Sequence, residues 1–583
     1  MIDYRIELDD LPGHQYRVTL TVPQPAPDQR LALPVWINGS YKVRDFARHL
    51  SGLQARQGRR RLAVQALDTS TWQVACSGRG ALVLSYRVYA FDPSVRAAFL
   101  DGRRGFFNAS SLCLRVLGQE AAPHRLRLAR LPAGWQVASA MPGSDAAPLA
   151  FEAADYDELL DHPFELGPFW RGHFDAGGVP HELVVSGAWP GFDGQRLLAD
   201  TQRICAAQIR FWHGDDAPPF ERYVFLLRAV GDGYGGLEHR ASSALVAARR
   251  DLPQQAWQGR AEPLPDGYVT LLGLISHEYF HSWNVKRLLP ADLHPRDHQA
   301  AQPTRLLWFF EGFTSYYDDL LLLRCGLIDA PRYLRGLART ANAVAATPGR
   351  QVQSVAEASF DAWTKYYLPD EHTPNSTVSY YLKGALVALA LDLSLRRQGR
   401  SLDAVMHGLW QRCVQAGDGR MSEDDVAAVV ASVARGPLPD WRADWVHGTD
   451  ELPLADLLPD FGIEARPERP GLAAALGLRL SEGALSGVQV KTVLAGGAAH
   501  QAGVAAGDEL LAVDGWRIRR LDEAAGWLVA QAAFDLLLVR DQRVITLRVR
   551  PGAGSPAAES WSWHLQARPG AAALRRRRAW LGQ

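Results

Sequence analysis

The chain has 583 residues, 47% of them hydrophobic and 22% charged, with 63 Lys+Arg set against 63 Asp+Glu. Such a length holds about three to four domains with core enough to fold unaided, and the balanced charge excludes an electrostatic case for nucleic acid or for general membrane attraction. Five cysteines, Cys76, Cys113, Cys205, Cys325 and Cys413, are scattered and odd in number, which argues against both a disulfide framework and thiolate metal ligation. No apolar stretch reaches membrane-spanning length, and residues 1–10 lack the charged and apolar regions of an export signal, so a cytoplasmic protein without a membrane span is expected.

Residues 1–170 alternate in short runs, 16–22, 72–74 and 81–89 among them, separated by turn residues. Period-two alternation of this kind predicts an N-terminal β-sandwich domain. The run 156–163, Tyr-Asp-Glu-Leu-Leu-Asp-His-Pro, reads as the passage into the next domain, a linker more readily than a substrate contact. From 171 to 455 strands come first, as at 222–227, and helical patterns follow at 382–397 and 424–433. That order predicts a thermolysin-like catalytic domain with an added helical part, in a multidomain α+β chain.

Within this domain His277-Glu278-Tyr279-Phe280-His281 follows an apolar run, Leu271-Leu272-Gly273-Leu274-Ile275-Ser276. On a helix, residues four apart lie about 40° around the axis and about 6 Å along it, so two imidazoles can converge on one ion. Glu278, one residue on from His277, turns towards a bound water, which is the place of a general base. The competing reading is a buried helix with two satisfied histidines. A third ligand decides between them, because catalytic zinc takes three protein groups and keeps one position open. Glu311 supplies it, as a lone carboxylate within Leu306-Leu307-Trp308-Phe309-Phe310-Glu311-Gly312-Phe313, where burial is costly unless a cation compensates. Pairing with Arg305 is the alternative. Asp318 and Asp319 fit hydrogen-bond acceptors or supporting partners better than ligands.

The residues 277–287, His-Glu-Tyr-Phe-His-Ser-Trp-Asn-Val-Lys-Arg, together with Trp308-Phe309-Phe310-Glu311-Gly312-Phe313-Thr314, resemble the glycyl aminopeptidase family, zinc peptidases of the gluzincin clan that end in a PDZ domain. A looser likeness reaches aminopeptidase N, but the gap between His281 and Glu311 is longer than in that group, and residues 289–303 read as the loop that fills it. Residues 33–46 also look like the family's N-terminal domain, with Asn38 where Pro is more usual.

The resemblance implies roles for further residues. Tyr234-Gly235-Gly236-Leu237-Glu238-His239 is similar to the exopeptidase signature, in which Glu238 would hold the free α-amine while Gly235 and Gly236 admit the substrate backbone. The competing reading is a flexible hairpin with a surface Glu. Tyr380-Tyr381-Leu382-Lys383-Gly384 matches a Tyr-x-Lys-Gly pattern that makes Tyr381 the oxyanion donor, with Tyr380, His239 and His372 as alternatives. Residues 466–552 resemble a PDZ domain, most specifically at 498–515, and Leu476, Gly477 and Leu478 fall in its carboxylate-binding loop. Residues 553–583 read as a C-terminal tail whose four arginines, 575–578, are solvated.

These readings converge on a zinc aminopeptidase, one Zn2+ per chain, cutting small N-terminal residues, Gly and Ala foremost, from peptides with a free N-terminus. A C-terminal peptide in the PDZ groove is the second expected partner. The alternatives are a PDZ-assisted zinc endopeptidase and, more remotely, a PDZ scaffold on a relic peptidase. Glu278 speaks against the scaffold, since a relic has no need of the base.

Overall fold

A computed structural model describes residues 1–144, 147–257, 263–483, 485–528, 532–552 and 560–582. The chain divides into two compact units, one of residues 1–302, 325–327 and 413–421, the other of 303–324, 328–412 and 422–583.

The first unit opens with a β-rich domain. Strand Gln15–Val22 buries Tyr16, Val18, Leu20 and Val22 and turns its alternate residues outward, as period-two patterning requires. It pairs with Ile2–Asp10 and Leu82–Tyr89 in a seven-stranded sheet, antiparallel except where Ile2–Asp10 meets His124–Leu128. Two four-stranded sheets accompany it, and one apolar core runs through the domain. Three buried tyrosines organise that core around residues 112–114: Tyr86 donates to the Leu112 carbonyl, Tyr156 to Cys113 and Tyr4 to Leu114, each at 2.7 Å. Burying a phenol is tolerable only with such a partner.

A five-stranded mixed sheet follows, in the order Trp170–Ala176, Val179–Ser186, Tyr223–Val230, Ser242–Ala248, Tyr234–Glu238. Tyr234–Glu238 is its edge strand, antiparallel to Ser242–Ala248. Helices Gly194–His213 and Asp266–Phe280 belong to the same unit, and Gln208 on the first donates to the carbonyl and hydroxyl of Ser276 on the second, at 2.8 and 2.9 Å.

In the second unit, helices Leu307–Arg324 and Tyr380–Arg397 cross backbone against backbone. A Cβ placed on Gly312 would lie 2.5 Å from the Gly384 Cα, and one on Gly384 would lie 2.5 Å from the Trp308 carbonyl oxygen. Only glycine fits at this crossing. A six-stranded sheet, with neighbours in the order Leu478–Gly483, Gly487–Val493, Glu509–Val513, Phe534–Arg540, Arg543–Val549 and with Trp516–Arg517 beside Glu509–Val513, forms the PDZ domain around its own apolar core. Among the residues read as a tail, Ser560–Leu565 pairs with Ile463–Glu468, and Ala571–Leu581 is a helix. Trp580 of that helix is fully buried, donates to the Tyr316 hydroxyl at 2.9 Å, and the Tyr316 hydroxyl donates to Asp392 at 2.6 Å. The arginine run therefore lies on a helix anchored by the tryptophan after it. The sequence pattern missed this because one buried residue decides it.

The architecture is thus multidomain and mixed: a β-rich N-terminal domain, a peptidase domain rich in helix, and a PDZ domain. Among the described residues no helix is long and apolar enough to cross a membrane.

Candidate active site

Helix Asp266–Phe280 is apolar on nearly every side, with Leu271, Leu272, Leu274, Ile275, Tyr279 and Phe280 buried, so its position is fixed by burial rather than by one face. The Tyr279 hydroxyl lies 2.8 Å from His181 Nε2, which locks the middle of the motif to the sheet. His277 and His281 then sit on one side at the helix end, their Nε2 atoms 3.0 Å apart and their rings nearly perpendicular at 85°. His281 Nδ1 lies 2.8 Å from the Asn284 carbonyl, which can only accept. That bond puts the proton on Nδ1 and leaves Nε2 unprotonated, the tautomer a metal requires.

Glu311 is 2% exposed, on a turn built of Leu307, Trp308, Phe309, Phe310 and Phe313. His277 and His281 of the first unit and Glu311 of the second are the candidate ligands, two imidazoles and a carboxylate. Two imidazoles and a carboxylate are the donor set of catalytic zinc, and two nitrogens 3.0 Å apart suit one ion with bonds of about 2.0–2.1 Å. The residues fit the metal.

The carboxylate of Glu278 is buried beneath the edge strand: a Cβ on Gly236 would stand 2.1 Å from its Oε1. The close approach that Gly236 permits inside the protein is that of Glu278. Its carbonyl accepts from Arg96 Nη2 at 2.9 Å, so the strand is held from the N-terminal domain. Glu238, two residues along, is 4% exposed, and the turn at Gly39 covers it, since a Cβ there would fall 2.3 Å from Oε2. Gly39 has φ +83°, which compounds the requirement for glycine.

Asp161 ties the end of this strand to the segment that follows the motif helix. It accepts from the Arg240 N–H at 2.8 Å and faces His239 Nδ1 at 3.3 Å and Lys286 Nζ at 3.2 Å. Burial raises its carboxyl, but the Lys286 ammonium and His239 outweigh this and hold it well below the usual carboxylate range. His239 faces Asp161 through Nδ1, and His372 is exposed on its loop.

Tyr381 begins helix Tyr380–Arg397, capped by Ser379, whose hydroxyl accepts from the Leu382 N–H at 3.3 Å. The glycine crossing described above puts it next to the turn bearing Glu311. Burial first, and then the Glu311 carboxylate, raise the Tyr381 phenol well above its ordinary range, so it stays protonated and able to donate at neutral pH. Tyr380 is fully buried, while Tyr366 stacks on Tyr381 with ring centres 5.4 Å apart.

In the PDZ loop Leu476 is buried and Gly477 ends a short helix at φ +76°. The Gly477 N–H already donates to the Ala474 carbonyl at 3.0 Å.

Arg96, Gly39, Asp161 and Lys286 escaped the sequence reading. Lys286 lies inside the motif segment and Asp161 inside the supposed linker, so a buried charge in each was the available signal. Arg96 and Gly39 carried none.

Models of known families match three parts of the chain: the Peptidase M61 N-terminal domain at residues 3–168, the M61 glycyl aminopeptidase at 270–387, and a PDZ domain at 489–540. A search of curated proteins finds no match. Among solved structures, an aminopeptidase N family protein from Idiomarina loihiensis is 36% identical, covers 100% of both chains and superposes with a TM-score of 0.93. An M1 zinc metallopeptidase mutant from Deinococcus radiodurans, bound to a Tyr-Ser-Ala substrate, is 16% identical over 78% of this chain and 94% of its own, with a TM-score of 0.44. With a relative alike over its whole length and both M61 models matched in order, the chain belongs to the glycyl aminopeptidase family of metallo-aminopeptidases, M61.

Proposed function

We propose that this metallo-aminopeptidase removes small N-terminal residues, glycine and alanine foremost, from peptides, with one zinc ion per chain held by His277, His281 and Glu311. The observation that carries the reading is the edge strand Tyr234–Glu238. Gly236 lies over the Glu278 carboxylate, and Glu238 projects from the same face two residues on. Two residues of strand span about 6.6 Å, which leaves room for a single aminoacyl residue between an amine held at Glu238 and a carbonyl attacked beside Glu278. Such a ruler favours exopeptidase action.

Zinc, when bound, supplies Lewis-acid polarisation of the scissile carbonyl and acidifies water. Glu278 takes the proton of the attacking water and passes it to the leaving amine. Glu238 pairs with the substrate's α-ammonium, and Gly235 and Gly236 keep the strand low enough to admit the chain. Tyr381 donates to the oxygen on which negative charge develops. The preference for small side chains is supported by the cavity beside Glu238, lined also by Gly39, Tyr41, Lys286 and Arg296, which holds only about 30 Å³. That is roughly the room of one water. For the PDZ domain we propose a C-terminal peptide along strand Leu478–Gly483, its carboxylate at Leu476, Gly477 and Leu478.

The test is hydrolysis of Gly-, Ala- and Leu-p-nitroanilide beside N-acetyl-Gly-p-nitroanilide, with and without chelator, and with Glu278→Gln. Chelator-sensitive release from free Gly and Ala substrates, absent with the acetylated one and in the variant, is expected. Cleavage of internal bonds in blocked peptides would overturn the reading in favour of an endopeptidase.

A further inference from the structure

A second cavity, of about 310 Å³, opens in the first unit where the segment Asp101–Arg104 meets the ends of strands Val179–Ser186 and Tyr223–Val230. Four guanidinium groups line it, those of Arg103, Arg104, Arg228 and Arg249, against two carboxylates, Asp101 and Glu165. Four minus two leaves an excess of two positive charges. Both carboxylates are already engaged. Glu165 is gripped in two places by Arg104, at 2.6 and 2.7 Å, and Asp101 Oδ1 accepts the backbone N–H groups of Arg103 and Arg104 at 2.7 and 2.8 Å.

Three of the cations, Arg104, Arg228 and Arg249, are fixed in place, while Arg103 is exposed at the rim. Arg228 lies over the Phe99 ring at 4.6 Å and donates to the Pro93 carbonyl at 3.0 Å, while Arg249 Nε donates to the Gly187 carbonyl at 2.6 Å. Two polar atoms of the lining are buried with no hydrogen-bond partner, Arg104 Nη1 and the hydroxyl of Ser186, a residue only 7% exposed. Orphaned buried donors are costly, and their occurrence together points to a missing acceptor. Burial, and then the charge of Arg104, push the Arg228 guanidinium down to about 10, against a smaller opposing pull from Glu165 and Asp101.

We propose that this cavity binds a small phosphate-bearing anion, either orthophosphate or a phosphate monoester. The excess of two charges matches a dianion, which a monocarboxylate does not satisfy, and planar guanidinium forks with a hydroxyl donor are suited to phosphate oxygens. The volume is that of a small-molecule site. None of the lining residues belongs to the peptidase site, so the inference stands or falls independently of the aminopeptidase reading.

The test is isothermal titration of the full-length protein with orthophosphate and with glycerol phosphate, at constant ionic strength and with sodium acetate as the control, using Arg228→Met and Ser186→Ala. Saturable one-to-one binding, weakened at least tenfold by Arg228→Met and severalfold by Ser186→Ala, is expected, with the melting temperature measured without phosphate unchanged in the serine variant. Tighter binding of glycerol phosphate assigns the site to a monoester, and tighter binding of orthophosphate assigns it to the free ion. Heats no larger than the acetate control, or binding that survives both substitutions as phosphate on the peptidase metal would, overturn the proposal.

Discussion

The glycine crossing of helices Leu307–Arg324 and Tyr380–Arg397 makes the most direct link between packing and chemistry, and Gly384→Ala is the perturbation that tests it. The new Cβ would lie 2.5 Å from the Trp308 carbonyl oxygen and 2.9 Å from the Gly312 Cα, whereas ordinary contact begins at 3.4 Å. Both obstacles are backbone, so no side-chain rotation relieves them, and the helices must separate by about 1 Å (3.4 minus 2.5). Overpacking of this kind costs about 1–3 kcal/mol, a fall in melting temperature of about 2–4 °C per kcal/mol for a cooperative unit of 150–250 residues. The same displacement moves Tyr381 relative to Glu311, and a misplacement of about 1 Å costs around a hundredfold in rate. We expect kcat on Gly-p-nitroanilide to fall by about that factor, with KM little changed, while zinc content stays near one per chain. The control is Gly336→Ala on helix Ala330–Ala345, where the added methyl meets only Asp319 Oδ2, at 3.5 Å. There the substitution gains helix propensity, up to about 1 kcal/mol. A Gly384→Ala enzyme with wild-type kcat and melting temperature would refute the reasoning.

Further outcomes follow from the same geometry. Gly236→Ala places a methyl 2.1 Å from Glu278 Oε1, the far end of a movable side chain, so activity should fall by at least tenfold while the melting temperature holds; equal loss of both would show a structural role instead. Tyr381→Phe should lower kcat by about 10²–10³ without altering KM, whereas Tyr380→Phe should affect stability more than rate; steady-state kinetics of the pair distinguishes them. His124, His162 and His181 are buried, and burial lowers each to about 4. Their folded values lie below the unfolded value of about 6.5, so the unfolded chain binds the protons first and stability, complete above about 6.5, is lost as pH falls towards 4, by about 3 kcal/mol per histidine. Melting temperature measured from pH 7 to 4 should show this decline, and His124→Phe, in a site stacked on Tyr4 and tilted against Tyr156, should reduce its slope; an identical profile would count against it.

Much of the site was legible because its chemistry is local. The separation of His277 and His281 is set by helical pitch, and a lone carboxylate in Trp308-Phe309-Phe310-Glu311-Gly312-Phe313 announces a compensating cation whatever surrounds it. The strands of the N-terminal domain were equally plain, since alternate burial at Tyr16, Val18, Leu20 and Val22 is written in period two. Residues whose importance depends on a distant partner were invisible. Gly39 is one small residue in a turn until Glu238 lies against it, and Arg96 is one arginine of many until it meets the Gly236 carbonyl. Asp161 looked like part of a linker, yet burial beside Lys286 and His239 makes it the tie between the strand and the segment that follows the motif helix. The helix that carries Trp580 looked like a solvated tail for the same reason. Spacing along the chain thus determined the class of fold and singled out the proposed metal donors and the proposed base, because those obey helix and strand periodicity. Which glycines must stay bare, which charges are buried together and where the cationic cavity lies were decided only when segments far apart in sequence came within a few ångströms, where sterics and desolvation act.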